Sequence, residues 1–138
     1  MPEEIVADYD TVGLSLKAHP MSLLRPALDR AGVLTSAGLR KVDDKATVRV
    51  AGLVIGRQAP PTAKGTVFVT LEDETGMLNL IVWKNVWAKY RQVGIDAVAL
   101  LIEGEVQRTA GVSHVCATRL EDLTHYLRNL TSRSRDFH

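Results

Sequence analysis

The fold is decided by one stretch in the middle of the chain, Lys64-Gly-Thr-Val-Phe-Val-Thr-Leu-Glu-Asp-Glu-Thr-Gly-Met-Leu-Asn-Leu-Ile-Val-Trp83. Apolar and polar residues alternate on both sides of a central Asp-Glu-Thr-Gly turn, which is typical of two half-buried strands joined as a hairpin. Alternation directs Phe68, Thr70, Asn79 and Ile81 to the outer face of these strands. The side chains predicted to point into a core are Val67, Val69, Leu71, Leu78, Leu80 and Val82.

Three more strands are predicted around this hairpin. The first starts near Val48, and Gly52 inside it would allow the sharp bend that a small barrel requires. The last two strands span about Ala97–Arg108 and Val112–Arg119 and are joined by the short turn Thr109-Ala-Gly111. The hairpin is therefore the middle of a five-stranded arrangement.

A short helix separates the third and fourth strands. It is predicted to begin after Asn85 as its N-cap and to stop at Gly94. Three strands, a helix and two strands are the connectivity of the OB fold, a five-stranded barrel. We therefore predict a mainly β protein with an OB-fold domain over residues 46–122.

The chain on either side of the barrel has a different pattern. Residues 1–45 carry apolar side chains at helical spacing, and Gly32 is placed as the C-cap of a helix that follows His19-Pro20. This segment is predicted to be helical and to dock on a neighbour, because short helices alone are marginally stable. Residues 123–138 are basic and poor in apolar side chains, which is typical of a mobile C-terminal tail.

Composition narrows the class of protein. The 138 residues include 17 Lys+Arg and 16 Asp+Glu, and the net charge of +1 excludes binding of nucleic acid by bulk charge alone. The single Cys116 cannot form an internal disulfide, and the four His residues lack metal-ligand spacing. We predict no catalytic residue, metal or cofactor. No membrane span or secretion signal is visible, so we expect a cytosolic protein with no membrane partner.

The outer face of the hairpin is the candidate nucleic-acid site. OB folds bind oligonucleotides on this face, where Phe68 could stack on a base and Asn79 could hydrogen-bond a base edge. Thr70 and Ile81 lie beside them on the same face. Three basic residues are predicted at its rims, where each could contact a phosphate: Lys64, Arg57 and Arg108.

A structural alternative stands beside each of these assignments. The N-terminal helices could cover Phe68, and the rim charges could be ordinary solvated side chains. The acidic run Glu72-Asp73-Glu74 is interpreted as a solvent-exposed turn rather than an acid–base site. Three aromatic residues are predicted to pack the helix against the bottom of the barrel: Trp83, Trp87 and Tyr90.

Several motifs resemble a known family. The runs Val48-Arg-Val-Ala-Gly-Leu-Val-Ile-Gly-Arg-Gln58, Thr62-Ala-Lys-Gly65 and Phe68-Val-Thr-Leu-Glu-Asp-Glu-Thr-Gly76 are similar to the C-terminal OB domain of bacterial C-family DNA polymerases. Gly13-Leu-Ser-Leu-Lys-Ala-His-Pro20 resembles the stretch that precedes this domain, and Ser134-Arg-Asp-Phe-His138 resembles the ending of the error-prone branch.

The resemblance implies a piece of a longer polymerase, without the palm carboxylates that hold the catalytic metals. This chain would then not polymerise DNA, although its parent would be a DNA-directed DNA polymerase of damage-induced (SOS) mutagenesis. The implied partners are single-stranded DNA, the rest of the polymerase chain and mutagenesis accessory proteins. Two functions stay open: weak binding of single-stranded template DNA, and docking of accessory proteins with little affinity for DNA.

Overall fold

The computed structural model describes residues 19–129, in which strands alternate with short helices. The strands are β1 (Val33–Leu34), β2 (Thr47–Gln58), β3 (Val67–Asp73), β4 (Gly76–Val82), β5 (Ala99–Thr109) and β6 (Val112–Asp122). The helices are α1 (Pro20–Arg30), α2 (Ser36–Leu39), α3 (Lys84–Lys89) and α4 (Arg91–Asp96). A 3₁₀ turn lies at Pro61–Ala63, and residues 124–129 are helical.

Five strands close into the predicted OB-fold barrel. The sheet order is β1-β2-β3-β4-β6-β5, and an additional β2–β5 pairing closes it. All neighbours are antiparallel except β1 with β2 and β4 with β6, where Leu80 pairs with Val115. The helices α3 and α4 lie between the third and fourth barrel strands, as predicted.

The first barrel strand bends at a glycine. β2 pairs with β5 up to Leu53 and with β3 from Leu53 onward, so it changes partner in mid-strand. Gly52 lies at this change, and a Cβ there would come within 2.9 Å of the Glu72 carbonyl oxygen. The bend therefore depends on a residue without a side chain, as the sequence predicts.

The barrel interior is filled by the side chains that alternation predicts. All six of the predicted inward residues of β3 and β4 are buried, and they pack with residues of β2, β5, β6 and α2. The inward set is therefore confirmed: Val67, Val69, Leu71, Leu78, Leu80 and Val82.

A second apolar cluster joins both ends of the described chain to the outside of β2 and β5. Leu123 and Leu127 lie in the predicted tail, yet they are only 6% and 8% exposed. Leu123 lies immediately before the helical stretch, and the Leu127 N–H donates to its carbonyl at 3.1 Å, so both side chains pack with α1. The cluster contains Met21, Leu24, Leu28, Val33, Ala51, Ala99, Leu123 and Leu127.

Residues 130–138, which belong to the predicted tail, and the helical pattern predicted before His19 lie outside the described residues.

The predicted boundaries of the central helix are wrong. α3 begins at Lys84 rather than after Asn85, and the helical segment breaks at Tyr90 before α4 continues. Gly94 does not stop it but lies inside α4. A Cβ at this position would come within 2.5 Å of the Trp87 ring. Packing against Trp87, and not the end of a helix, requires glycine at this position. Within residues 19–129, no helix is long and apolar enough to cross a membrane.

Close strand approach at Gly104 gives a test of the barrel. A Cβ on Gly104 would overlap the Cys116 carbonyl, whereas nothing lies within 4 Å of a Cβ on Gly56. We expect Gly104→Ala to lower the free energy of unfolding by about 1–3 kcal/mol through overpacking. The matched variant Gly56→Ala should stay within about 0.5 kcal/mol of the original chain. Urea unfolding measures both, and equal losses would contradict the role given to Gly104.

Candidate nucleic-acid interface

Four of the predicted site residues meet on the outer face of the hairpin. Phe68 lies opposite Ile81, and Thr70 lies opposite Asn79. Phe68 is 38% exposed, Asn79 is exposed, and the other two are half-buried. Since α1 is in place and Phe68 still faces solvent, α1 does not cover this ring. We call this surface of β3 and β4 the outer face.

Neighbouring strands extend the outer face beyond the predicted residues. Gln58 of β2 lies opposite Phe68, and Cys116 of β6 pairs with Ile81. Met77, at the start of β4, is 60% exposed and opposite Glu72. The outer face thus combines apolar and amide side chains, which suits contact with the flat faces and polar edges of bases.

Trp83 belongs to the outer face and not to the barrel bottom. Trp87 and Tyr90 pack against the core as predicted, but Trp83 is 47% exposed. Its backbone is extended, with φ −64° and ψ 155°, so the alternation of β4 continues by one more residue. Trp83 therefore projects to the same side as Ile81. The position of Trp83 immediately before a helix suggested that it packs against the barrel bottom. Its spacing of two residues from Ile81 was the sequence feature that could have predicted its place on the outer face.

Two lysines lie at the loop between β2 and β3. Lys64 is exposed and has a left-handed backbone, with φ 54°, at the end of the 3₁₀ turn. Lys84 follows Trp83, and its aliphatic carbons lie 3.0 Å from the position that a Cβ on Gly65 would take. Lys64 was predicted at this rim and Lys84 was not. Both can offer an ammonium group to a phosphate near the loop.

The structure does not bring Arg57 onto the outer face. Its Nε donates to the Gly94 carbonyl at 2.6 Å, and its Nη2 donates to the Ala97 carbonyl at 2.7 Å. The cause is a bulge between Val54 and Gly56, which inserts one extra residue into β2. A one-residue insertion moves every later side chain to the opposite face, so Arg57 lies on the other face of β2 from its predicted position, and a phosphate contact by Arg57 stays a prediction.

Arg108 lies beside the β5–β6 turn and is tied to protein groups. Its Nε donates to the Ser113 hydroxyl at 2.9 Å, and its Nη2 donates to the Leu39 carbonyl at 3.2 Å. Its main-chain N–H donates to the Asp44 carboxylate at 2.9 Å. These bonds hold the turn against the end of α2, and a phosphate contact by Arg108 stays a prediction.

The residues Glu72–Gly76 form an acidic turn that joins the barrel to the helices before it. The Asp73 side chain has 0% exposure, and its Oδ2 accepts the main-chain N–H of Ser36 at 2.7 Å. Its Oδ1 accepts the main-chain N–H groups of Thr75 and Gly76 at 2.8 and 3.0 Å. A buried carboxylate is tolerated here because hydrogen-bond donors surround it. The interpretation as a merely solvent-exposed turn is wrong for Asp73.

The carboxylates on either side of Asp73 hold α1. Arg25 donates to both oxygens of Glu74, at 2.6 and 3.0 Å. His19 caps α1 by accepting the Met21 N–H on Nδ1, while its Nε2 lies 3.1 Å from Glu72 Oε1. These basic partners could not be predicted from local sequence, since 49 and 53 residues separate them from the acidic turn. Within residues 19–129, no cluster of three or more His, Cys, Asp or Glu side chains is placed to hold a metal.

Comparison with known proteins agrees with the fold and the motifs. The chain belongs to the OB-fold nucleic acid binding domain family, which matches residues 48–123. It is 50% identical over 135 residues to the error-prone DNA polymerase of Methylococcus capsulatus, and 47% identical over 136 residues to that of an Azoarcus species. These matches cover 98% and 99% of the chain but only 13% of each polymerase.

A solved structure shows the same fold in another setting. The asparaginyl-tRNA synthetase of Pyrococcus horikoshii superposes with a TM-score of 0.55 at 22% sequence identity. The superposition covers 66% of this chain and 23% of the synthetase. At this identity the likeness concerns the barrel and not its ligand.

The Arg25–Glu74 pair makes stability depend on pH. The hydrogen bond from Arg25 holds the pKa of Glu74 below its usual value of 4.5. A lowered pKa means that the pair stabilises the fold above the unfolded-state pKa and that this contribution is lost as the pH falls. We expect Glu74→Gln to lower the free energy of unfolding by about 1.5–3 kcal/mol at pH 7. The deficit should shrink between pH 5 and pH 3 in denaturant titrations.

The exposed Glu121 provides the matched control for this titration. Glu121→Gln should change stability by less than about 0.5 kcal/mol at either pH. A Glu74→Gln deficit that stays constant down to pH 3 would contradict the ionic contribution of the pair.

Proposed function

We propose that this chain is the OB-fold module of an error-prone DNA polymerase and that it binds unpaired template DNA weakly on the outer face. The observation that carries the proposal is an exposed Phe68 beside Asn79 on a face that α1 leaves open. The ring can stack on any base, and the amide can exchange hydrogen bonds with a base edge. Identity of 47–50% to error-prone polymerases over nearly the whole chain supports this assignment.

The parent protein would be a DNA-directed DNA polymerase acting in the cytoplasm, in SOS mutagenesis and DNA repair. Polymerisation chemistry would belong to the parts of the relatives that this chain, spanning 13% of their length, does not match. The module would position the single-stranded template and would work beside the rest of the polymerase chain and its mutagenesis accessory proteins.

The charge of the interface explains why binding should be weak. Arg57 is held by two carbonyl groups away from the outer face, and Arg108 is bonded to a hydroxyl and a carbonyl. Lys64 and Lys84 are then the main phosphate contacts. Two or three contacts to a single strand give a shallow salt dependence, with log K falling by about 0.7 per contact for each unit of log salt.

Truncation of the outer ring tests the proposal. We expect Phe68→Ala to weaken binding of a fluorescein-labelled oligothymidine by about tenfold, because one base–aromatic stack contributes roughly 1–3 kcal/mol. Fluorescence anisotropy at several salt concentrations measures both the affinity and the number of phosphate contacts.

The control is Tyr126→Ala, which removes a ring that is 48% exposed on the helical stretch at residues 124–129. Its affinity should match that of the original chain. Unchanged affinity in Phe68→Ala, with a native melting temperature, would place the DNA elsewhere.

A second candidate function is docking of a mutagenesis accessory protein. Ile55, Ile95 and Val98 are 45–49% exposed at the end of the barrel where the Val54 N–H bonds the Val98 carbonyl at 2.8 Å. Exposed apolar side chains close together are typical of protein interfaces. The net charge of +1 also suits a protein partner better than a polyanion.

If this patch docks a protein, a substitution in it should weaken protein capture without changing the affinity for DNA. Val98→Glu should abolish capture of a purified accessory protein on a sensor surface, because it places a charge in the apolar contact. The same variant should leave oligothymidine affinity unchanged. Val112→Glu, an equally exposed valine (48%) on the far hairpin, is the matched control and should retain capture. Loss of capture in both variants would remove the specific role of this patch.

A further inference from the structure

We infer that Trp83 is a second stacking platform on the outer face, so that the ligand unit is two successive unpaired bases, one on Phe68 and one on Trp83. This inference rests on the proposed function and adds the size and chemistry of the DNA element that is recognised. It is carried by the backbone register, the exposure of the two rings and the surroundings of the indole.

The register sets the spacing of the two rings. Phe68 lies directly opposite Ile81, and Trp83 lies two residues further along the same face. Diagonal neighbours of this kind on paired strands are about 7–8 Å apart. Both rings are open to solvent, at 38% and 47% exposure. Successive bases of a single strand can stack on two rings placed in this way.

The indole lies beside a buried side chain of β6. Cys116 pairs with Ile81 in the neighbouring strand and is 6% exposed. Burial and the charge of Glu105 raise the pKa of the Cys116 thiol, and the neighbouring Trp83 side chain opposes them. A ring that lies beside a buried side chain is restricted on that side before any ligand arrives. A restricted ring loses less conformational entropy on binding than a free one.

The charges around the outer face favour bases over phosphates as the source of affinity. Glu105 pairs with Cys116 and Glu72 pairs with Met77, so a carboxylate borders the surface at each side. The two lysines lie near the loop between β2 and β3 only. Stacking on Phe68 and Trp83 must then supply most of the binding energy. Removing bases from a strand should cost more affinity than raising the salt concentration.

The chain offers an internal reporter for this contact. It has two tryptophans, so Trp87→Phe leaves Trp83 as the single indole. We expect saturating octathymidine to quench the Trp83 emission of this variant, as a stacked base would. In the chain with both tryptophans, Trp83→Ala should bind octathymidine about tenfold more weakly, whereas Trp83→Phe should retain most of the affinity. Trp83 makes no capping bond to α3, so its truncation does not remove a helix cap.

The size of the ligand unit is tested by oligonucleotides of equal charge. One abasic octamer carries two thymidines at adjacent central positions, and the other carries the same two thymidines separated by three abasic positions. The adjacent pair should bind about tenfold more tightly, because only it can place a base on both rings at once. In Trp83→Ala the two octamers should bind equally.

The possible failures are distinguishable. Two results would overturn the second platform and leave the proposed function intact. One is an unchanged affinity of Trp83→Ala for octathymidine. The other is Trp83 emission in the Trp87→Phe variant that is not quenched when octathymidine is bound. Absence of any oligothymidine binding by the unaltered chain would overturn both. If Trp83→Ala lowers the melting temperature, the emission of the folded Trp87→Phe variant still decides the question.

Discussion

The buried carboxylate of Asp73 is the interaction on which the arrangement of the molecule depends. It binds the turn of its own hairpin through Thr75 and Gly76, and the start of α2 through Ser36. The Arg25–Glu74 pair then holds α1 at the same end of the hairpin. All of this anchoring is concentrated at one end of β3 and β4. At the opposite end, Phe68 is 38% exposed, and α1 does not reach it.

A single extra residue controls the electrostatics of the candidate interface. The bulge after Val54 turns Arg57 toward the carbonyls of Gly94 and Ala97, where the guanidinium ties α4 to the barrel. The outer face thereby loses a cation that uninterrupted alternation would have supplied. What remains is a surface of rings, an amide and apolar side chains with lysines at one border. Such a surface favours bases over phosphates.

These features are consistent with a module that holds a strand without regard to its sequence. In the proposed function, every base could stack, and the weak electrostatic attraction would let a strand be released easily. Membership of the OB-fold nucleic acid binding domain family and identity to error-prone DNA polymerases agree with this chemistry. The apolar side chains at the other end of the barrel are exposed, and the proposed docking of a protein partner would use them rather than the outer face.

The sequence by itself determined the features that follow from local periodicity. Alternation identifies the hairpin, its buried set and the outer positions of Phe68 and Asn79, and the order of elements identifies the barrel. Tertiary structure alone decided the rest. The contacts of His19 and Arg25 join residues 53 and 49 positions apart, which no local pattern encodes. A bulge changes the face of Arg57 without changing the composition of its strand. The exposure of Trp83 depends on which neighbours fold over it, and that is a property of the assembled barrel.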